Sequence, residues 1–191
     1  MINLWSQKKE ADEARRQRPK TSPAQLRVQK DLTELALPDT MRISFPDPTD
    51  TMHFLLTITP DEGGPGMYEG GVFRFDIAVN QNYPHDPPKV KCVQKLYHPN
   101  LDLDGNVCLN ILREEWNPIL NLNSVLVGLQ FLFLDPNADD PLNKGVCRSV
   151  PAADIAEAAE ELRRDRTAFA ANVKRALSGA TLQGVTYDRV V

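Results

Sequence analysis

Cysteine is scarce in this chain of 191 residues: Cys92, Cys108 and Cys147 are an odd number with no C-x-x-C pair. That argues against a disulfide framework and against a zinc site, so each thiol has to be explained separately. Long apolar runs are missing as well. Nothing approaches the roughly 18 residues of a membrane span, and the opening Met1-Ile2-Asn3-Leu4-Trp5 runs into charges where a signal peptide would continue into an apolar core. An intracellular protein is expected. No phosphate-binding P-loop occurs. Neither sign of charge dominates, the net being -4, which gives no overall attraction to nucleic acid or to an anionic membrane.

The charge that is present is unevenly placed. Met1 to Ser22 holds six basic residues (Lys8, Lys9, Arg15, Arg16, Arg18, Lys20) against Glu10, Asp12 and Glu13, so this end carries +3 and the remainder -7. With 41% hydrophobic residues the chain has enough apolar material for one core and is too short for two ordinary domains. The expected organisation is a flexible arm over residues 1–21 and one core domain over 22–191. At the tip of the arm Met1, Leu4, Trp5 and Lys8 recur at helical spacing, either as an apolar stripe for a partner's groove or as a disordered terminus with a stray Trp.

Ser22-Pro23-Ala24-Gln25 has the form of a helix start, with Ser22 as N-cap, Pro23 first in the helix and Gln25 closing a capping box. Ala24, Val28, Leu32 and Leu35 make its apolar stripe, and Pro38 is expected to end it. Three period-two runs follow, Met41-Ile43-Phe45, Phe54-Leu56-Ile58 and Phe73-Phe75-Ile77-Val79, then a shorter Val90-Cys92. These predict an antiparallel meander. Turn residues from Tyr97 to Pro118 predict a long ordered loop, a kind of segment that is usually functional. Asn123 is the expected cap of a central helix burying Leu126, Leu129, Leu132 and Phe133. A last helical region is expected from Pro151 to Leu177.

A free cysteine is more often a buried small hydrophobe than a nucleophile. Cys92 suits that role, being the inward member of a strand, and Cys147 has no catalytic context. Cys108 follows Asp104-Gly105-Asn106 on the irregular loop, where a second macromolecule can reach it. It is the candidate nucleophile.

Around it stands a recognisable pattern: His98-Pro99-Asn100-Leu101, then Gly105-Asn106-Val107-Cys108-Leu109-Asn110-Ile111-Leu112, then Trp116-x-Pro118, and later Asp139-Asp140-Pro141-Leu142. In order and spacing it resembles the ubiquitin-conjugating enzyme family, and Tyr83-Pro84-His85-Asp86-Pro87-Pro88-Lys89-Val90 resembles that family's proline loop. The likeness spans Ala24 to about Gly179. It implies an α+β fold of the ubiquitin-conjugating type: an N-terminal helix, a four-stranded antiparallel meander, a catalytic loop, and central and C-terminal helices.

The resemblance implies that Cys108 accepts a modifier as a thioester and passes it to a lysine, chemistry that suits a thiol because a thioester stays reactive toward amines. Asn100 is implied to stabilise the tetrahedral oxyanion, or else to brace the loop. His98 and Pro99 are implied to order the loop, in preference to a Cys-His dyad. Asp140 is implied to position the incoming lysine, with a simple turn before Pro141 as the alternative, one that weighs more for Asp139. Asn110 and Leu142 fall on the implied active-site rim.

Three features resemble the neddylation branch, which transfers the Nedd-type (Rub) modifier to cullins. They are the Met1-Ile2-x-Leu4-Trp5 start, the string Cys108 to Trp116 with Asn110 where many ubiquitin carriers have Asp, and Gly128 to Asn137 leading to Pro141-Leu142-Asn143-Lys144. On that resemblance Met1, Ile2, Leu4 and Trp5 dock on a heterodimeric activating enzyme. An acetylated Met1 enters a pocket of an accessory cullin ligase, since burying a charged amine is costly. RING-type ligases and cullin substrates are the other implied partners, with no nucleic acid and no membrane. A monomer in cytoplasm and nucleus is expected, binding no metal or other cofactor, because ATP is used by the activating enzyme. The alternatives are a ubiquitin-conjugating enzyme with an unusual arm and a catalytically silent modifier-binding module. Two stretches depart from the family pattern: Gly63-Gly64-Pro65-Gly66, a slightly long turn, and Gly145 to Ala156, about a dozen extra residues.

Overall fold

The structure is a computed structural model and describes residues 21–60, 66–138 and 153–191, with side chains of the last stretch from 157 onward. Helix α1 spans Pro23–Thr33. Its capping box is complete, the Gln25 N–H donating to Ser22 Oγ at 3.1 Å and the Ser22 N–H to Gln25 Oε1 at 2.8 Å. The helix stops earlier than Pro38. Its last main-chain bond runs from Glu34 N–H to Lys30 O, and Leu35 and Leu37 pack on the core from the non-helical segment beyond it, as suits a chain approaching a proline.

The four predicted strands form one antiparallel sheet in the order β1-β2-β3-β4, with β1 Met41–Ser44, β2 His53–Ile58, β3 Phe73–Ala78 and β4 Lys89–Cys92. Ile43 faces Leu56 and Leu56 faces Phe75, while Ile77 faces Val90, so one register carries these large apolar side chains to the same face, leaving Leu55 on the other with Ser44 and Asp76. Helix α2, Leu122–Leu134, covers that face. Phe133 stacks on Phe73 with centroids 4.1 Å apart and meets Phe75 edge-on.

Asn121, not Asn123, caps α2, its Oδ1 accepting from the Ser124 N–H at 3.0 Å. Capping from Asn123 would leave Leu122, which is fully buried, outside the helix. The last helical region, expected from Pro151 to Leu177, consists of two helices: α3, Ala153–Arg164, and α4, Arg166–Leu177. Asp165 breaks them by accepting from the Thr167 and Ala168 N–H groups, which starts a new helix. A short hairpin of β5, Thr181–Leu182, and β6, Val185–Thr186, then turns through Gln183 and Gly184, both at positive φ, as the two-residue hairpin turn requires. The sequence pattern gave no notice of it.

Candidate active site

From Leu96 to Leu120 the chain holds no helix longer than the single 3-10 turn Asn110–Leu112, yet it is closely tied down. Asp102 begins a tight turn: its two carboxylate oxygens accept from the main-chain and side-chain N–H of Asn106, both at 2.7 Å. Gly105 lies inside that turn at φ +81, and its carbonyl accepts from the Cys92 N–H at 2.7 Å. A Cβ there would fall 2.1 Å from the Cys92 carbonyl oxygen, so only glycine lets the loop lie against β4. The turn delivers Cys108 to a half-buried position, where its N–H donates to the Asn100 carbonyl at 2.8 Å.

The two described thiols differ in kind. Cys92 is buried, donates to the Gln94 carbonyl at 3.3 Å, and has its pKa pushed up to about 12 by burial. It is a filler of the core, as its strand position suggested. Cys108 keeps part of its surface open, and the Arg113 guanidinium reaches in from one turn later, with Nη2 3.3 Å from the Val107 carbonyl and 3.9 Å from Cys108 Sγ. A cation beside a sulfur favours its anionic form. The sequence reading missed Arg113, because a lone charged residue after the 3-10 turn carries no pattern.

His98 and Asn100 lie almost wholly inside, 1% and 2% exposed. The Asn100 N–H donates to His98 Nδ1 at 2.9 Å, which leaves the proton on Nε2, donating to the Leu132 carbonyl at 2.8 Å. Both nitrogens of the imidazole are thus engaged with the main chain. Its pKa is held down at about 4 by burial, so the ring is neutral near pH 7. A base for Cys108 would need a free lone pair within reach of the sulfur, and this ring has none to offer. The side chain of Asn100 differs: its Oδ1 is buried without a hydrogen-bond partner among the described residues. Pro99 is buried between them and Asn110 is half-buried at the 3-10 turn.

The far end of the loop is anchored from α1. Arg27 donates to the Pro118 and Leu120 carbonyls at 3.1 and 2.8 Å. Asp31, only 3% exposed, accepts from Arg27 Nε, the Tyr83 hydroxyl and the Leu122 N–H. Trp116 Nε1 donates to the Pro84 carbonyl at 2.9 Å. Sequence reasoning also missed this network, since Arg27 and Asp31 look like an ordinary exposed i,i+4 pair. Asp139, Asp140, Leu142, Cys147, the arm residues Met1, Ile2, Leu4 and Trp5, and most of the two departing stretches lie outside the described residues. Within those described, no cluster of three or more His, Cys, Asp or Glu could hold a metal.

Residues 27–177 match the family described as "Ubiquitin-conjugating enzyme". The chain is 52% identical to a protein named NEDD8-conjugating enzyme UBC12 from Yarrowia lipolytica, a match covering all of this chain and 99% of the relative. It is 51% identical to NEDD8-conjugating enzyme ubc12 of Schizosaccharomyces pombe over the same shares. Among solved structures it is similar to S. cerevisiae Ubc12, with a TM-score of 0.78 and 39% identity over 98% of this chain and 96% of that one. A half-buried thiol on a glycine-dependent loop, beside an asparagine whose side-chain oxygen has no partner among the described residues, stands in a chain that belongs to the ubiquitin-conjugating enzyme family.

Proposed function

We propose that this chain accepts a NEDD8-type modifier from its activating enzyme as a thioester on Cys108 and passes it to a lysine, with cullins as the substrates. The observation that carries the assignment of the sulfur is the contrast between the two described thiols, one buried and inert, the other half-open beside a guanidinium. Loading is an acyl exchange between thiols: the Cys108 sulfur attacks the incoming thioester carbonyl, and the activating enzyme's thiol leaves with the proton. Discharge repeats the attack with a lysine amine as nucleophile, and Cys108 leaves as the thiol.

Both steps pass through a tetrahedral oxyanion. Its stabilisation is assigned to the Asn100 side chain, whose Nδ2–H groups, and not its acceptor Oδ1, can donate to the oxyanion. Asp140 is assigned to orient the incoming amine, and Asn110 with Leu142 to the rim. His98 and Pro99 are assigned to hold the loop. The choice of a NEDD8-type modifier is supported by relatives of that name that match this chain from end to end. Met1, Ile2, Leu4 and Trp5 are assigned to dock on the activating enzyme, where tethering raises the effective concentration of the core.

The test is a non-reducing gel after incubation with each modifier, its activating enzyme and ATP. A thiol-sensitive band with the NEDD8-type modifier, lost in Cys108→Ala and slower to form without residues 1–20, is the expected result. A band with ubiquitin alone would overturn the assignment of the modifier. Loading retained by Cys108→Ala would overturn that of the sulfur.

A further inference from the structure

The 3-10 turn after Cys108 ends at Arg113, and main-chain bonds fix where that side chain starts. The Arg113 N–H donates to the Asn110 carbonyl at 2.9 Å, and its own carbonyl accepts from the Trp116 N–H at 3.1 Å. At the other end Nη2 lies 3.3 Å from the Val107 carbonyl and 3.9 Å from Cys108 Sγ. Val107 is buried and bridged to Leu101, so the carbonyl that steadies the guanidinium is itself held. One donor group thus spans the peptide before the reacting cysteine and the sulfur. The other charged groups around this loop are differently engaged. Asp102 is taken by Asn106, and His98 is neutral with both ring nitrogens bonded. Arg113 also lines a groove of about 420 Å³ whose remaining charged residues are Asp86, bonded by the Asn80 amide, and Lys89 and Lys91 on β4. The groove admits solvent to the guanidinium, so salt can screen it.

We infer that Arg113 is a catalytic residue for the sulfur, holding the negative charge that Cys108 takes up as it leaves the modifier. The inference rests on Cys108 carrying that modifier. In discharge the lysine nitrogen forms a C–N bond to the acyl carbon, and charge gathers first on the carbonyl oxygen, the atom assigned to Asn100. Collapse then breaks the C–S bond, and its electron pair passes to the sulfur. The proton lost by the amine goes to solvent, from which the thiolate takes one up. Charge therefore moves from the oxygen, served by Asn100, to the sulfur, served by Arg113. A thiol of lower pKa leaves faster, whereas a thiol acting as nucleophile partly loses in intrinsic reactivity what it gains in thiolate. Arg113 should accordingly assist discharge over the whole pH range, and loading mainly where Cys108 is largely protonated.

The experiment has one arm without partner proteins and one with them. Full-length wild type, Arg113→Gln and Arg113→Lys are first alkylated with iodoacetamide between about pH 6 and 10, and modification of Cys108 is followed by peptide mass spectrometry. The inflection should lie about one pH unit higher in Arg113→Gln and return most of the way in Arg113→Lys, which keeps the charge. Raising NaCl from about 0.05 to 1 M should move the wild-type inflection up and leave that of Arg113→Gln in place. Cys92 remaining unmodified marks each variant as folded. The proteins are then preloaded with the NEDD8-type modifier and discharged to free lysine, where Arg113→Gln should be slower by about threefold or more and Arg113→Lys close to wild type. Coincident inflections for wild type and Arg113→Gln would overturn the proposal. Equal slowing of discharge by both variants would do the same, since the side chain would then act as a brace on the Val107 carbonyl. Failure of the thioester to form on Cys108 in the wild type would instead sink the functional assignment, a result the alkylation arm cannot produce.

Discussion

The main-chain N–H of Asn100 donates to Nδ1 of His98 across 2.9 Å, so the imidazole can support the loop only while that nitrogen is unprotonated. Burial lowers the His98 pKa to about 4, against an ordinary value near 6.5. The folded-state value is the lower one. Hence the stabilising contribution is complete above about pH 6.5 and is lost progressively as pH falls toward 4, amounting to roughly 3 kcal/mol by pH 4. Urea unfolding between pH 7 and 4.5 should show stability falling faster for the wild type than for His98→Asn, which starts less stable. Parallel curves would mean that the ring is protonated without cost.

The strands were legible because their apolar residues alternate without interruption and their turns are rich in Pro, Asp and Gly. The candidate sulfur was legible because Cys92 sits in such a strand and Cys108 does not. What escaped was set by tertiary contacts. Asn121 and Asn123 are equivalent as local caps until Leu122 has to be buried. Asp165 looks like one more charge in a helical run until its carboxylate takes two amides. Arg27 and Asp31 look like a solvated pair until Tyr83, Leu120 and Leu122 close on them from distant parts of the chain.

That network makes a second prediction. Asp31→Ala removes the acceptor of Arg27, Tyr83 and the Leu122 N–H together, leaving a buried hydroxyl and the start of α2 unpaired. A loss of about 3 kcal/mol is expected, within the range for breaking buried charged networks. Chemical denaturation should register it, while Lys30→Ala, which removes an exposed pair with Glu34, should change stability by less than about 0.5 kcal/mol. Similar small effects for both would show that Asp31 is replaceable by water.

Alkylation distinguishes the thiols without any partner protein. Iodoacetamide at pH 7.5 should modify Cys108 quickly and leave Cys92 unmodified in the folded protein, because burial both blocks the latter and raises its pKa to about 12. Peptide mass spectrometry over a time course gives the order. Cys92 reacting as fast as Cys108 before unfolding would contradict the burial that separates them.

Gly128 lies on α2 beneath the 3-10 turn that follows Cys108, and a Cβ there would meet Ile111 Cδ1 at 2.8 Å and Leu109 Cδ2 at 3.1 Å. Both atoms are ends of side chains and can shift. For Gly128→Ala the clash is offset by about 1 kcal/mol of helix propensity, so stability should change by no more than about 1 kcal/mol. Gly128→Leu cannot be absorbed in that way. It should cost about 1 to 3 kcal/mol and slow discharge by displacing Leu109 and Ile111. A Leu variant with wild-type stability and rate would mean that the turn does not depend on this close approach.

Asn100 offers the sharpest division between a brace and a catalyst. Its main-chain groups hold the loop, the carbonyl accepting from Cys108 and the N–H donating to His98, and neither is altered by substituting the side chain. The side-chain Oδ1 is buried without a partner among the described residues, and an unpaired buried acceptor costs about 1 to 3 kcal/mol. Asn100→Ala should therefore leave stability nearly unchanged or slightly improved. If the amide serves the oxyanion, the same variant should slow discharge to free lysine by about a hundredfold or more. A loss of more than about 2 kcal/mol of stability with an unchanged discharge rate, measured on preloaded protein, would assign the side chain to bracing instead.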